Sequence, residues 1–432
     1  MKLLLVGSGA REHALAWKLA RERGVSEVVC APGNAGIARD VRCVAVDVAD
    51  PAAVLGLAER EGVDFTVIGP ELPLANGVAD TFAAAGRPLF GPLQAAARLE
   101  SSKVFAKEFM ERHQIPTARF RVCHSEADAL TAVAGDSFGF PVVVKADGLA
   151  AGKGVTVATD REMAEAAVRA AMTDRRFGDA GTRLVIEECL TGEEASFFVL
   201  CDGHRGLALP SAQDHKRVGD GDEGPNTGGM GAFAPSPLVS DALAARVMSE
   251  VVVPVLEGLR AEGGEYRGVL YVGLMLTGDG PKVIEFNVRF GDPEAQVVLP
   301  MIETDLAPVL LAAARGNLGT ETWRVTSDPH VGVVIASGGY PGAYATGCPI
   351  DGLDDAARVP GVVVFHAGSA EQGGRLVTSG GRVLTVVGRG VTFREAIDRA
   401  YHAVSCISFS GRYVRTDIGE KALRAIAAGG GS

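Results

Sequence analysis

The first hundred residues alternate apolar runs with amphipathic segments. Runs such as KLLLVGSG, VSEVVCAPG and VDFTVIGPE each precede a stretch with helical periodicity, for example AREHALAWKLARERG. Strands that alternate with helices predict a parallel sheet that is covered by helices on both faces. We therefore expect an α/β domain over residues 1–102.

The rest of the chain mixes shorter strands with helices. Residues 117–191 contain the apolar runs PVVVKAD, VTVATD and TRLVIEEC, and residues 192–324 add further strands and a glycine-rich stretch. We expect these two segments to be subdomains of one domain over residues 103–324. Short strands and the amphipathic stretch FREAIDRAYHAVS then predict a small α+β domain over residues 325–432.

One predicted strand carries polar residues on one face. In VIEFNVRFGDPE, Glu285, Asn287 and Arg289 are two residues apart, and a strand sends such residues to the same side. Carboxylate and amide oxygens suit Mg²⁺, and a guanidinium can bind a phosphoryl group. A solvated ladder of salt bridges along the strand is the alternative. The FGDPE turn, with Asp292, favours the metal interpretation because it adds oxygens beside the same place.

The first glycine-rich loop, GSGARE, resembles the dinucleotide pattern GxGxxG, except that Glu12 stands in the third glycine position. A NAD site also needs an acidic residue about 20 residues later, where this chain reads VVCAPGNAG. The loop is therefore either a plain tight turn or a phosphate site at a helix N-terminus. We favour the phosphate site, with Gly9 and Arg11 beside Asn34 and Gly36 at neighbouring strand ends.

A second glycine-rich segment, VVVKADGLAAGKGV, follows an apolar strand. It lacks the Ser or Thr of a Walker A motif, yet glycines admit backbone N–H groups to phosphates and lysines offset their charge. A flexible surface turn explains Lys153 well. It explains Lys145 poorly, because an ammonium group in an apolar strand is unfavourable unless an anion meets it.

The segment LVIEECLTGEEAS places four glutamates around a predicted hinge. Such a cluster is usually a solvated face. Alternatively, the free backbone groups of an extended hinge can bind adenine, and a carboxylate can accept two ribose hydroxyls.

Composition and charge narrow the class. The chain has 432 residues, of which 47% are apolar and 22% charged, which is ordinary for a globular protein of about three domains. The net charge of −11 and the absence of a basic tract disfavour nucleic acid. The chain has no run of about 18 apolar residues, so we expect no membrane span. Seven dispersed cysteines without a CxxC pair predict a reducing cytoplasm without disulfides.

Taken in chain order, these features resemble the ATP-grasp ligases. Lys103 at a helix start, Lys145, the glycine-rich flap, the IEECLTGEE hinge and the EFN strand follow the order of that family. The likeness covers nearly the whole chain, and the stretch DHKRVGDGDEGPNTGGMGAF is not a general ATP-grasp feature. This stretch resembles the members of the family that join glycine to 5-phosphoribosylamine in purine biosynthesis. The resemblance implies that the reaction uses ATP and Mg²⁺ (or Mn²⁺).

The resemblance implies an ATP-grasp fold with an N-terminal Rossmann-like domain, and it implies roles for individual residues. For ATP these are Lys103 and Lys145 at the phosphates, Gly148, Gly152, Lys153 and Gly154 in the flap, Glu187 and Leu190 at adenine, and Glu194 at ribose. For the metal they are Glu285 and Asn287. For catalysis they are Arg289, Asp214 and Lys145. For the substrates they are Gly9, Arg11, Asn34 and Gly36 at the sugar phosphate, and Asp214, Thr227, Gly228, Gly229 and Asp292 near glycine.

Three other functions compete with this one. Another ATP-grasp carboxylate–amine ligase or carboxylase would use a different acid or amine, and a substrate panel separates the two. A nucleotide-binding regulator would show no turnover. A NAD-dependent oxidoreductase is disfavoured by the missing acid after the second strand. We expect a monomer that binds neither nucleic acid nor membrane.

Overall fold

The computed structural model describes residues 1–134, 138–149, 154–320 and 322–429. Its first hundred residues form the predicted parallel sheet of five strands, which run in the spatial order Arg42–Cys43, Glu27–Pro32, Lys2–Gly7, Phe65–Ile68 and Leu89–Phe90. In the central strand, Leu3 and Leu5 pack into one core and Leu4 and Val6 into another. A strand that is buried on both faces is continuously apolar, which explains the run LLLV.

Helices cover both faces of this sheet. They are Ala10–Leu19, Ile37–Asp40, Pro51–Glu61, Glu71–Ala75, Val78–Ala84 and Gln94–Ser101. The helix Pro51–Glu61 shows why such segments begin and end where they do. The Asp50 side chain accepts a hydrogen bond from the N–H of Ala52, and Gly62 ends the helix with a φ of 59°.

The helix Lys103–Arg112 leads from this domain to a small antiparallel sheet. The sheet order is Phe120–Cys123, Leu184–Glu188, Val142–Ala146 and Val155–Ala158. The helices Glu126–Ala134 and Arg161–Met172 pack on it and share its apolar core. We call this unit the small lobe.

A second antiparallel sheet lies below the small lobe, in the order Gly206–Ala208, Glu193–Asp202, Arg267–Thr277 and Gly280–Asn287. Its helical neighbours are Asp241–Val247, Val253–Ala261, Glu294–Val298 and Leu306–Ala314. The predicted alternation in Gly280–Asn287 is interrupted. The register shifts beside Val283 and Glu285, so Ile284 is an extra residue in a β-bulge.

The C-terminal region does not begin cleanly at residue 325. Its six-stranded sheet joins Gln213–Asp214, Gly231–Ala234, His330–Ser337, Arg382–Arg389 and Val362–His366 in this order, with Arg412–Tyr413 paired to His330–Ser337. Two strands from the predicted central subdomain are therefore built into the C-terminal sheet. The remaining elements are the hairpins Arg217–Gly219 with Glu223–Asn226 and Ser369–Gln372 with Arg375–Thr378, and the helices Leu353–Ala357, Phe393–Cys406 and Glu420–Gly429.

The N-terminal and C-terminal regions touch at a polar turn. The Asn34 amide donates hydrogen bonds to the carbonyls of Ser8 and His366, and its oxygen accepts from the N–H groups of Gly36 and Ile37. Gly36 lies directly against His366, since a Cβ added to it would come within 2.2 Å of the imidazole Cγ. This turn therefore holds the two regions together.

Within the described part of the chain, none of the helices has the length and apolar character that crossing a bilayer requires. All seven cysteines lie in that part and are free thiols.

We expect Gly36→Ala to lower the free energy of unfolding by about 1–3 kcal/mol, because the new methyl group overlaps the base of the His366 side chain. Gly24→Ala is the matched control, since a Cβ there meets nothing within 4 Å. Urea unfolding of both variants measures the difference. Equal midpoints for the two variants would contradict the packing role of Gly36.

Candidate active site

A cavity of about 1290 Å³ lies between the small lobe, the sheet below it and the C-terminal region. Its lining includes most of the residues predicted to bind nucleotide, metal or glycine or to act in catalysis: Lys103, Lys145, Gly148, Gly154, Glu187, Leu190, Glu194, Asp214, Thr227, Gly228, Glu285, Asn287, Arg289 and Asp292. Gly152 and Lys153 were predicted in the same flap, and they lie outside the described residues. The cavity is the candidate active site.

A single carboxylate holds two buried lysines at the junction of the lobes. Oε2 of Glu187 lies 2.9 Å from Nζ of Lys145 and 3.0 Å from Nζ of Lys107. Its other oxygen, Oε1, is buried and has no hydrogen-bond partner among the described residues. Lys145 also donates to the carbonyl of Ile284, at 3.2 Å, which the bulge turns toward it. The predicted anion for Lys145 is therefore partly supplied by the chain itself.

The burial of Lys107 changes its chemistry. Only 2% of Lys107 is exposed, and burial lowers its pKa to about 8, against the attraction of Glu187. Lys107 was not predicted as a site residue. It lies one helical turn after Lys103 on the same helix, and that spacing is the signal that sequence analysis missed.

Lys103 lies at the start of that helix and contacts the segment that follows Lys145. Its Nζ donates to the carbonyl of Gly148 at 3.0 Å, and desolvation in the cavity lowers its pKa. Gly148 has a φ of 120°, and a Cβ on it would come within 2.9 Å of Ala180. This position needs glycine both for its backbone angle and for the close contact.

Glu285 and Asn287 face the cavity from the strand Gly280–Asn287. Nζ of Lys216 lies 3.6 Å from Glu285 and 2.9 Å from Glu194. Burial disfavours the charge on Lys216, but the two carboxylates raise its pKa well above the ordinary range. Lys216 therefore joins the predicted metal and ribose positions, and sequence analysis missed it.

The oxygen donors at this position fit a small divalent cation. One carboxylate and one amide oxygen on a strand beside an open cavity are hard ligands that leave coordination positions for phosphate and water. The residues that the structure describes contain no group of three or more His, Cys, Asp or Glu with metal-ligand geometry. The predicted pair includes one carboxylate only and so depends on further oxygens from a nucleotide.

Arg289 lies beside the cavity and is held by carboxylates. Its guanidinium is 2.7 Å from Glu100 and 3.2 Å from Glu71. Burial raises the pKa of Glu100 to about 7, although Arg289 attracts its charge. Arg289 was predicted to meet the transferring phosphoryl group. In this structure all three of its nitrogens already have partners within the chain: Glu71, Glu100 and the carbonyl of Phe290.

Asp214 lies in a buried acidic network. Burial, together with the neighbouring Glu294 carboxylate, raises the pKa of Asp214 well above its ordinary range. Oδ1 of Asp214 is buried and has no partner in the described part of the chain. Glu294 accepts a hydrogen bond from Ser196, whose hydroxyl is also 3.0 Å from that of Tyr271. The network favours an arriving cation or hydrogen-bond donor.

The loop of Thr227, Gly228 and Gly229 is held by the C-terminal sheet. The Gly228 N–H donates to the hydroxyl of Tyr340 at 2.9 Å, and Arg382 donates to the carbonyl of Gly228. Arg382 also lies 3.3 Å from Asp292. Neither Tyr340 nor Arg382 was predicted, because each lies more than 100 positions from its partner in the loop.

The first glycine-rich loop holds a carboxylate of the chain itself. The Gly9 N–H donates to Glu12 at 2.6 Å, and Nε of Arg11 donates to the same side chain at 2.5 Å. A Cβ on Gly7 would come within 2.4 Å of Glu12, so this glycine makes room for that side chain. A phosphate at Gly9 would face the Glu12 carboxylate, which makes the predicted phosphate contact unfavourable there.

A second cavity, of about 290 Å³, opens beside this loop and is lined in part by Gly9, Arg11, Glu12 and Asp292. Asn34 and Gly36, the other residues predicted at the sugar phosphate, line neither cavity. The Asn34 side chain instead donates to the carbonyl of His366 and accepts from the N–H of Gly36, and Gly36 packs against His366.

We expect the Lys107 side chain to titrate near pH 8 instead of its ordinary value of 10.5, because burial outweighs Glu187. Between these pH values the unfolded chain binds more protons than the folded chain, so the group makes the free energy of unfolding rise with pH. The slope is at most about 1.4 kcal/mol per pH unit. Urea unfolding of the wild type and Lys107→Met across this window measures it, and parallel pH profiles would contradict it.

Comparison with known proteins identifies the family. The Phosphoribosylglycinamide synthetase models for the N domain, the ATP-grasp (A) domain and the C domain match residues 1–100, 101–295 and 330–421. A phosphoribosylamine–glycine ligase from Xylella fastidiosa (strain Temecula1) is 51% identical over 427 residues, which are 98% of this chain and 98% of that protein.

Solved structures agree with this assignment. The phosphoribosylamine–glycine ligase of Thermotoga maritima superposes with a TM-score of 0.82 and 34% identity, and covers 96% of this chain and 100% of its own. The biotin carboxylase domain of Hydrogenobacter thermophilus 2-oxoglutarate carboxylase, in complex with MgADP, ADP and bicarbonate, shares the fold. Its TM-score is 0.74 at 19% identity, with coverage of 96% and 91%.

The predicted ATP-grasp fold is thus confirmed. Because the three domain models follow one another along the chain, and identity with the Xylella relative extends over 98% of it, the chain belongs to the phosphoribosylglycinamide synthetase family.

Proposed function

We propose that this chain joins glycine to 5-phosphoribosylamine and converts ATP to ADP and phosphate. The product is glycinamide ribonucleotide, which makes this reaction the second step of purine biosynthesis. The observation that carries the proposal is the charge pattern around Glu285 in the cavity. Burial opposes the charge on Glu285, but Lys216, Lys145 and Lys103 together lower the pKa of its carboxyl group. This arrangement matches a polyphosphate with a divalent cation.

The chemistry follows from the weakness of a carboxylate as an electrophile. ATP transfers its terminal phosphoryl group to the glycine carboxylate, and the C–O bond of the resulting acyl phosphate is then broken by the amine of 5-phosphoribosylamine. Phosphate leaves, and the amine loses a proton. Catalysis of such a transfer rests mainly on positioning and on neutralising charge.

The nucleotide end of the cavity is built to hold ATP. Lys103 and Lys145 offset the phosphate charge, and Gly148 and Gly154, which stand on either side of residues 150–153 in the chain, line the same cavity. Oε1 of Glu187 is buried and has no partner in the part of the chain that the structure describes, which supports a donor such as the adenine amino group. Leu190 and Glu194 line the same cavity, and we assign them to adenine and ribose.

Glu285 and Asn287 would hold Mg²⁺, or Mn²⁺ in its place. The ion, when bound, neutralises phosphate oxygens during transfer. Lys216 provides a counter-charge for Glu285 at 3.6 Å, and it keeps that carboxylate ionised next to the cavity.

The remaining substrates occupy the two ends away from adenine. The acidic pair of Asp214 and Glu294 supports a site for the glycine ammonium group, with the loop Thr227 to Gly229 beside it. The smaller cavity next to Arg11 and Asp292 supports the ribosyl amine. Its carboxylates favour sugar hydroxyls, and we assign Arg11, which lines both cavities, to the phosphate. Since one chain supplies all of these groups, we propose that it acts as a monomer.

We expect ADP release only when ATP, Mg²⁺, glycine and 5-phosphoribosylamine are all present, with the last generated in the assay because it is unstable. Reactions that omit glycine or the amine are the controls, and L-alanine replaces glycine in a third. Product analysis by mass spectrometry should detect glycinamide ribonucleotide. ADP release with another acid or amine would move the substrate, and no release under any pairing would refute the ligase.

We expect Glu285→Ala to lower kcat by at least about 100-fold while the circular dichroism spectrum stays unchanged, because the metal loses its one carboxylate. Glu257→Ala, at an exposed carboxylate on a helix remote from the cavity lining, is the matched control. Full activity of Glu285→Ala would refute the metal assignment.

A further inference from the structure

A hairpin beside the cavity connects Lys216 to the C-terminal segment, residues 413–421. Its strands are Arg217–Gly219 and Glu223–Asn226. At the open end, the backbone N–H of Thr227 donates to the carbonyl of Lys216 at 2.7 Å. At the other end, the turn over residues 220–222 reaches the segment 413–421. The hairpin therefore connects its turn to the backbone of Lys216.

One arginine fastens the turn. Arg415 is fully buried, with 0% exposure. It donates to the carbonyl of Arg217 at 2.9 Å and to the carboxylate of Asp222 at 2.9 Å. Its other nitrogens donate to Asp417 at 2.8 and 2.7 Å. A planar guanidinium is suited to several acceptors in fixed directions at once, which an ammonium group is not.

Further contacts surround this arginine. Nζ of Lys421 lies 2.5 Å from Asp222, the Gly221 N–H donates to Asp417 at 2.9 Å, and the Tyr413 hydroxyl donates to the carbonyl of Val218 at 2.8 Å. Each contact joins the hairpin to the C-terminal segment. Among the described residues, the two hairpin strands pair only with each other.

The turn itself needs an external hold. Gly221 and Asp222 have φ angles of 68° and 60°. A non-glycine residue adopts this left-handed conformation only when its surroundings compensate for the strain. Arg415 and Lys421 both bind the Asp222 carboxylate, and so they supply that compensation.

The segment also forms part of the cavity wall. Asp417, Lys421 and Arg424 line the cavity together with the hairpin residues Arg217 and Asp222. Lys216, at the base of the hairpin, contacts Glu194 and Glu285. The C-terminal segment is therefore coupled to the nucleotide end of the site through a short and continuous set of contacts.

We propose that Arg415 is a positioning residue for the ligase reaction, which holds the hairpin so that Lys216 stays between Glu194 and Glu285. The inference rests on the proposed function for its kinetic consequences. It assigns no contact between Arg415 and a substrate. It predicts that the C-terminal segment sets the affinity and the reactivity of bound ATP.

The test compares Arg415→Ala with Arg412→Ala in the full chain. Arg412 is exposed, lies three positions away, and its side chain donates to the carbonyls of Val404 and Ile407 at the end of a C-terminal helix. We expect Arg415→Ala to raise KM for ATP and lower kcat/KM for ATP by roughly 10- to 100-fold. KM for 5-phosphoribosylamine stays unchanged, since its proposed cavity lies at the N-terminal sheet. Arg412→Ala keeps both values.

Two readouts separate positioning from folding. Free guanidinium restores part of the activity of Arg415→Ala by refilling the buried space, and hydrogen exchange accelerates at residues 217–226 before it does elsewhere. Should Arg415→Ala not fold, Asp222→Asn removes one acceptor while keeping a residue that tolerates a positive φ. We expect the same change in KM for ATP from it.

Unchanged kinetics per folded molecule in the folded variants, or equal losses in Arg412→Ala, would overturn the proposal. The wild-type assay tests the proposed function separately, because absence of turnover there refutes the ligase alone. In that event the dissociation constant of MgADP, measured by calorimetry, tests the hairpin hold. Weaker binding in Arg415→Ala than in Arg412→Ala supports it, and equal binding overturns it.

Discussion

The carboxylate of Glu187 balances two buried ammonium groups, and the shape of the cleft depends on that balance. Lys107 comes from a helix, Lys145 from one strand of the small lobe and Glu187 from the next strand. An unmatched ammonium group in this position would lose its proton or expel the strand. The three elements are therefore held at fixed separations. Two positive charges against one negative charge leave the junction cationic, which is the condition for a polyanionic ligand.

Elsewhere in the cavity, too, each buried charged group has charged neighbours, and the sign of those neighbours differs from place to place. Lys216 lies between two carboxylates, and Arg289 lies between Glu71 and Glu100. Asp214 instead has an acidic neighbour and an unpartnered oxygen. The site thus presents paired charges where the phosphates and metal are proposed, and an unbalanced acidic pair where an ammonium group is proposed. On the proposed assignment, this difference would orient the substrates.

Sequence patterns predicted the parts of this arrangement that depend on local order. The run LLLV implied a strand buried on both faces, and the spacing of Glu285 and Asn287 placed both at the cavity. The bulge at Ile284 was not visible, because it arises from pairing with a strand that precedes it. Lys216, Arg382 and Arg415 were missed for a related reason. Their partners are distant in the chain. From sequence alone, a charged residue in a loop or at a strand end is expected to be solvated, because its acceptor is brought to it only by the fold. Gly36 and Asn34 were expected near a phosphate, yet their groups serve packing against His366.

The domain boundary is the other place where local order was insufficient. Short strands and an amphipathic stretch after residue 325 suggested a separate C-terminal domain. Gly231–Ala234 nevertheless pairs with His330–Ser337 over four positions, and Gln213–Asp214 extends the same sheet. The segment between these two short strands carries Lys216, the hairpin and Thr227. Since both ends of this segment are fixed in the C-terminal sheet, its position is set by the C-terminal region, whereas Glu194 and Glu285 are set by the sheet below the small lobe. Lys216 therefore bridges the two sheets, which are also joined directly by backbone hydrogen bonds between Ser196 and Ala212. An ion pair that spans two sheets holds its geometry only as well as both supports are held, and this is why a buried arginine far from the substrates has a physical route to the reaction.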